Sequence, residues 1–339
     1  MARSYRVAVV GIGMVGKEML KVLHQRSFPA SEIRVLATRA RTETIDGRAY
    51  EVVETTEKAF DGVEIALFAG TEGEKGASQK FGWLAVEKGA FVVDNGADFR
   101  MDPRVPLVIP EVNAEAMRTH HGFIANPNCS TIQMVVALAP LHKEAGLKRV
   151  VVASYQAVSG TGRAAVTELD KGLRAYVEGT DFRPEVYPHP IACNVLPHIG
   201  GPSKEMPGYS TEEAKMLFET RKIMGLPKLG VSATTVRVPV FNGHSEAVNA
   251  EFARPISADR ARELLSNAPG VTVVDDFENA AYPLPVEASG TDPVYVGRIR
   301  EDKSVPHGLA FWCVSDNIRK GAALNAVQIA EKAIEMGLI

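Results

Sequence analysis

Residues 5–10 (YRVAVV) form a short apolar, β-branched run that stops at Gly11. A helical period follows, with Val15, Met19, Val22 and Leu23 on one face. Residues 33–37 (IRVLA) and 63–69 (VEIALFA) return to the strand pattern, and the second is followed by a helical stretch over 76–87. Residues 90–93 then lead into a polar turn at 94–98. Strand runs alternating with helical ones predict a Rossmann-type parallel α/β sheet over about the first 130 residues.

The pattern changes after that. Residues 149–157 (RVVVASYQA) read as a long strand, and 231–240 and 246–252 as two more, joined through Asn242-Gly243 as a hairpin-type turn. Residues 295–300 and 308–314 add further strands. Long strands with few helices between them predict an α+β domain with a mainly antiparallel sheet. Residues 179–208, rich in Pro and Gly, read as an irregular excursion. The chain ends in an amphipathic helix whose apolar positions include Ala322, Val327, Ile329, Ala330, Ala333 and Ile334.

Composition narrows the function classes. At about 150 residues per domain, 339 residues predict roughly two domains. A net charge of −3 supplies no basic excess for binding nucleic acid. No apolar run approaches the length of a membrane span, so no membrane partner is expected. Three cysteines make no disulfide framework and fit a reducing, cytoplasmic setting in which one of them can be a nucleophile.

The sequence Gly11-Ile-Gly13-Met14-Val15-Gly16 follows a strand and opens a helix, the context a dinucleotide fingerprint requires. The first Gly permits the tight turn, the second lets a pyrophosphate approach the backbone, and the third lets helix pack on strand. An acid at the end of the second strand reads the ribose 2′-hydroxyl of NAD; here that end carries Thr38, Arg39 and Arg41 and no acid, which favours NADP.

Asn126-Pro-Asn128-Cys129-Ser-Thr precedes a helical run. A cysteine at a helix N-terminus has its thiolate stabilised by free N–H groups and the helix dipole. Cys193 and Cys313 lie in apolar runs and read as buried small hydrophobes. A dinucleotide turn together with such a cysteine points to a dehydrogenase that forms a thioacyl enzyme.

Five motifs, in order along the chain, resemble those of aspartate-semialdehyde dehydrogenase: DNGADFR (94–100), NPNCST around Cys129, SYQAVSGTG (154–162), EEAKMLFETRKI (212–223) and RVPVFNGHSEAV (237–248). The glycine turn is one residue shorter than the GxxGxxG usual in that family. The resemblance implies reduction of aspartyl β-phosphate with NADPH, in the route to lysine, threonine, methionine and diaminopimelate. It implies Cys129 as nucleophile, His244 as acid/base and Gln156 as the residue that orients the acyl group. It places the phosphate with Arg100 and Lys215, the substrate ammonium with Glu212 and its carboxylate with Arg237, and it puts Asn128 in the substrate site. Ser159, Gly160 and Asn317 would touch the nicotinamide half of the cofactor. It suggests a homodimer or homotetramer.

With the final helix returning to the first domain, the expected division is 1–127 with 316–339 for NADP binding and 128–315 for catalysis and dimerisation. A sibling N-acetyl-gamma-glutamyl-phosphate reductase is disfavoured, because its acetylated amine would not want Glu212. A non-catalytic dinucleotide-binding regulator would be expected to have lost Cys129, His244 or a substrate arginine, and all are present. His189, Cys193 and His198 have no matching second pair of ligands, so no metal is expected.

Overall fold

The computed structural model describes residues 3–70 and 76–339. They divide into two compact units, one made of the residues up to Asn128 together with Ala322–Ile339, the other of Cys129–Gly321.

In the first unit β1 (Tyr5–Val10), α1 (Met14–Gln25) and β2 (Ala30–Ala37) are followed by β3 (Arg41–Ile45), β4 (Arg48–Glu54) and β5 (Ile65–Phe68). Then come α2 (Ala77–Glu87), β6 (Phe91–Asp94), α3 (Pro110–Asn113) and β7 (Phe123–Ala125). Among the described residues they form a seven-stranded sheet in the order β3-β4-β2-β1-β5-β6-β7, parallel except for β3. β5, β6 and β7 are buried along their whole length, as a parallel sheet covered on both faces requires. The strand order reverses at β1, so the Gly11 turn lies at the topological switch point where such sheets bind ligands.

The C-terminal helix, Leu324–Glu335, belongs to this unit. Its Val327 and Ala330 share a core with Met19, Leu20 and Leu23 of α1. Asn325 donates to Asn126 Oδ1 at 2.6 Å and to the Val108 carbonyl at 3.1 Å.

The β3–β4 hairpin was not anticipated. Its strands are short, polar and at the sheet edge, so they lack an apolar signature. Its turn, Asp46-Gly47, has both φ angles positive, and a D-G pair was the available signal.

The second unit opens with α4 (Cys129–Ala145), followed by β8 (Leu147–Gln156), α5 (Arg163–Glu178), α6 (Thr211–Met224), β9 (Gly230–Arg237) and β10 (His244–Phe252). It continues with α7 (Ala258–Ser266), β11 (Val271–Val273), α8 (Pro285–Ala288), β12 (Val294–Asp302) and β13 (Gly308–Ser315). The sheet order is β11-β12-β13-β10-β8-β9, and three of its five pairings are antiparallel. α4 packs against β8, β10 and β13 and against α6 and α7, so it is buried nearly all round from Ser130 to Ala139.

The expected Asn242-Gly243 hairpin does not form. β8 lies between β9 and β10, parallel to the first and antiparallel to the second. The segment after β9 instead crosses the end of β8, where the Val158 and Ser159 amides donate to the Val240 and Phe241 carbonyls. Both edges of β8 are thus taken, and β9 and β10 cannot pair with each other. Residues 179–208 are irregular as expected. One anchor for them is the buried Glu168 carboxylate, which accepts from the amides of Glu185, Val186 and Tyr187.

Candidate active site

The glycine turn of the first unit has open chemistry. Gly11 has φ 93°, a conformation that favours glycine. A side chain on Gly16 would place its Cβ 1.8 Å from the Gly11 carbonyl oxygen, so close packing of α1 on the turn requires glycine there too. Nothing lies within 4 Å of where a Gly13 Cβ would be. Gly13 is also the N-cap of α1, with no side-chain cap and no acid in the first turn. Met14 and Val15, half-buried, begin the helix. Backbone N–H groups at such an end are available to an anion, and the open face at Gly13 admits one.

Thr38 and Arg39 are exposed beyond β2. Arg41 opens β3 and pairs with Glu43 at 2.9 Å, while Glu43 also binds Lys17. These two hydrogen bonds, Lys17 first, hold the Glu43 carboxyl below the usual range. An acid does therefore stand two residues beyond Arg41, already neutralised by cations.

Arg100 is buried at the end of the 94–100 turn and donates to the Asn95 carbonyl at 2.7 Å. Asp94 fixes this turn by accepting from the Gly96 amide at 2.8 Å. Burial pushes its carboxyl up to about 6, against the opposing pull of that hydrogen bond and of Arg100. Asn128, the last residue of the first unit, is buried.

In the second unit Cys129 is the first residue of α4 and is part-buried. Cys313 is buried, as expected, but Cys193 is exposed. Cys193 sits at φ 55° in the irregular stretch, where Ile191 and Leu196 on either side pack into a small core with Ala165 and Leu169 of α5 and leave Cys193 outside it. Its apolar neighbours were a misleading signal. Among the described residues no His, Cys, Asp and Glu cluster has the makings of a metal site.

β8, β9 and β10 bring Gln156, Arg237 and His244 to one end of the second sheet, all buried. Arg237 donates through a terminal nitrogen to the Ala157 carbonyl at 2.6 Å, and the Ala157 amide donates to His244 Nδ1 at 3.1 Å. A ring that accepts at Nδ1 carries its hydrogen on Nε2 when neutral. Complete burial, and then the charge of Arg237, push the His244 pKa well below its usual value, so the neutral ring is the resident form. His244 Nε2 and Arg237 Nε, both buried donors, have no protein partner among the described residues. Gly160 lies against both side chains. A Cβ there would stand 3.0 Å from the Arg237 terminal nitrogen and 3.3 Å from His244 Nε2.

α6 contributes Glu212 and Lys215. A capping box fixes its first turn: the Glu213 amide donates to Ser210 Oγ at 3.3 Å, and the Ser210 amide to Glu213 Oε2 at 2.8 Å. Gln156 Nε2 then donates to Glu212 Oε1 at 3.2 Å, and Lys215 Nζ stands 3.7 Å from Glu212 Oε2.

Ser159 and Asn317 hold the turn that precedes His244. Asn317 Nδ2 donates to Ser159 Oγ, the Gly243 amide to Asn317 Oδ1 and Ser159 Oγ to Asn242 Oδ1, each at 2.9 Å. Asp316 accepts from Asn242 Nδ2 at 2.8 Å. Asn242 and Asp316 support the site with no local signal in the sequence, where an Asn-Gly pair reads as a hairpin turn. Gly321 is another such residue: a Cβ on it would lie 2.7 Å from Cys129 Cβ.

A glycine turn open to a dinucleotide, a part-buried cysteine at a helix N-terminus and a buried histidine–arginine pair fit the class of acyl-transferring dehydrogenases. Residues 6–120 match the family described as semialdehyde dehydrogenase, NAD binding domain, and residues 138–320 match semialdehyde dehydrogenase, dimerisation domain. The chain belongs to the semialdehyde dehydrogenase family. It is 51% identical to the aspartate-semialdehyde dehydrogenase of Aquifex aeolicus (strain VF5), over 99% of this chain and 100% of that protein. Identity to the enzyme of the same name from Bacillus subtilis (strain 168) is 44%, over the full length of both. Its fold is similar to the crystal structure of aspartate semialdehyde dehydrogenase II from Vibrio cholerae, with a TM-score of 0.93 at 41% identity, over 98% of this chain and 99% of that one.

Proposed function

We propose that the protein catalyses the NADP-dependent reductive dephosphorylation of L-aspartyl 4-phosphate to L-aspartate 4-semialdehyde, and the reverse reaction, within aspartate-derived amino-acid biosynthesis. The observation that carries this reading is the pair of buried donors, His244 Nε2 and Arg237 Nε, that have no protein partner among the described residues, in the unit whose first residue is Cys129 at a helix N-terminus. Its relatives' names, at 42–51% identity, supply the substrate.

The open turn at Gly11, Gly13, Met14, Val15 and Gly16 fits a dinucleotide pyrophosphate, with Thr38, Arg39 and Arg41 toward the 2′-phosphate and Ser159, Gly160 and Asn317 toward the nicotinamide. When bound, NADPH supplies the hydride that reduces the thioester. The residues up to 127 with 316–339 are read as the cofactor domain, and 128–315 as the catalytic and dimerisation domain.

Cys129 attacks the acyl carbon as thiolate, stabilised by the α4 N-terminus. A carbon–sulfur bond forms, the carbon–oxygen bond to phosphate breaks, and phosphate leaves. Of the two roles open to His244, its geometry favours the donor. With Nδ1 occupied by the Ala157 amide, the Nε2 hydrogen faces the site and stabilises the oxyanion of each tetrahedral species. Collapse of the hemithioacetal releases the aldehyde and returns the thiolate. Gln156 orients the acyl group by amide hydrogen bonds, and Asn128 lines the substrate site. Arg237 takes the α-carboxylate, Glu212 the ammonium, and Arg100 with Lys215 the phosphate.

The solvent face of the second sheet supports a dimer. Tyr155 and Trp312 pair with ring centroids 5.4 Å apart beside a groove of about 290 Å³ lined by Tyr282, Leu284 and Arg298. Phe277 and Val286 are 72% and 78% exposed on the same unit. Apolar surface of this kind on a folded unit marks an interface. Among the described residues no helix is long and apolar enough to cross a membrane. Cys193, exposed and outside any disulfide of the described residues, is in keeping with a cytoplasmic setting.

The direct test is phosphate-dependent reduction of NADP with L-aspartate-4-semialdehyde. Trapping the acyl enzyme by mass spectrometry should place the adduct on Cys129 and lose it in Cys129→Ala. Absence of phosphate dependence, or an adduct on another residue, would overturn the reading.

A further inference from the structure

Beneath the site lies a buried polar cluster that the reaction above does not use. Glu246 is two residues beyond His244 on β10, so both side chains face the same side of the sheet. It pairs in register with Ser154 of β8 and Cys313 of β13, and His244 pairs with Ser315. Cys313 Sγ donates to Glu246 Oε2 at 3.3 Å. Ser315 Oγ donates to Gln133 Oε1 at 2.7 Å. Gln133 is four residues after Cys129 on α4, hence on the same face of that helix. Glu246, Gln133, Ser154, Cys313 and Ser315 are all completely buried.

We propose that Glu246 is a positioning residue for the reaction, joining the strand that carries His244 to the neighbouring strand through Cys313 and standing beside Gln133 of the helix that presents Cys129. This rests on the reading of Cys129 and His244 as nucleophile and donor.

Glu246 works in its un-ionised form. The charged group acting on it is Glu212 of α6, an anion, and Cys313 offers only a weak thiol donor. The His244 ring on its own strand is neutral. Burial dominates and pushes the Glu246 carboxyl up to about 8, although Cys313 and then Gln133 pull the other way. Gln133 Nε2 and Glu246 Oε1 close no hydrogen bond in the described structure, while Gln133 is near enough to act on the acid. An amide has the shape and neutrality that this position uses. A carboxylate here would leave a buried charge without a cation.

The test compares Glu246→Gln and Glu246→Ala with the wild type in the full-length enzyme. The folded carboxyl titrates near 8 against an ordinary value of 4.5, so the folded wild type binds the extra proton between those values. Its stability from this group therefore falls as pH rises from 4.5 to about 8. Glu246→Gln lacks that slope, and its melting temperature relative to wild type should rise steadily from pH 5 to about 8. At pH 7 Glu246→Gln should keep kcat within about threefold of wild type; wild type should show an alkaline decline in kcat near 8, and Glu246→Gln should lack that part of it. Glu246→Ala should lower kcat on the order of tenfold or more, with both KM values changed less than about twofold, and should slow iodoacetamide alkylation of Cys129. A Gln variant that becomes less stable than wild type as pH rises, or that fails as badly as the Ala variant in turnover, would overturn the proposal. The alkylation and melting comparisons need no substrate. A wild type that cannot turn over aspartate semialdehyde would therefore refute the functional reading, while these two comparisons still decide the role of Glu246.

Discussion

Gly321→Ala offers a sharp test of how tightly Cys129, the proposed nucleophile, is held. The new Cβ would stand 2.7 Å from Cys129 Cβ and 3.2 Å from its Cα. Carbon atoms in good contact are about 3.5–4.0 Å apart, so the pair must separate by roughly 0.8 Å. The near atoms are Cβ and backbone, so no flexible side-chain end can swing aside. Relief comes only by moving the start of α4 or the 319–323 segment, and Cys129 shifts with either. Forcing an extra methyl into a packed site costs about 1–3 kcal/mol of stability, which leaves a protein of this size folded at room temperature. A nucleophile misplaced by about 1 Å loses up to about 10²-fold in rate, so kcat should fall on the order of 10- to 10²-fold while NADP affinity stays near wild type. Steady-state kinetics, cofactor titration by fluorescence and a melting curve on the same preparation read all three quantities. A folded Gly321→Ala enzyme with kcat within threefold of wild type would refute the claim that this contact sets the position of Cys129.

Other outcomes follow from the site. His244→Asn should bind both ligands and lose about 10²–10³-fold in turnover, the cost of an oxyanion donor. Because burial and Arg237 hold the wild-type ring neutral, kcat should show no acid limb near pH 6.5 that disappears in this variant; such a limb, found in a pH profile, would contradict the neutral donor. Arg100→Ala and Lys215→Ala should raise the KM for phosphate far more than that for the semialdehyde, and Arg237→Ala the reverse. Arg237→Lys should not rescue, because one ammonium cannot replace a guanidinium that also donates to the Ala157 carbonyl, and restored activity would refute the assignment. Neutralising Arg39 and Arg41 together should weaken NADP much more than NAD in binding assays, and equal losses would show that neither side chain reads the 2′-phosphate.

What the sequence determined was local. The apolar runs at 5–10 and 63–69 and the helical period after Gly11 were legible because side-chain periodicity is a property of neighbouring residues. The glycines of the turn were legible for the same reason, since their spacing alone reports close backbone approach. Cys129 was legible from its polar neighbours at a helix start. Pairing was not. Asn242-Gly243 looks like a hairpin turn locally, and only the insertion of β8 between β9 and β10 turns it into an anchor for His244. Cys193 looked buried because its neighbours are apolar, but Ile191 and Leu196 are the ones that pack against Ala165 and Leu169 of α5, and Cys193 between them stays exposed. Glu246 looked like one more polar residue on a strand. Its partner Cys313 lies 67 residues away, and Gln133 beside it belongs to another element altogether. Whether a carboxyl group keeps its charge depends on how much water the fold leaves around it, and desolvation arises only when distant segments meet.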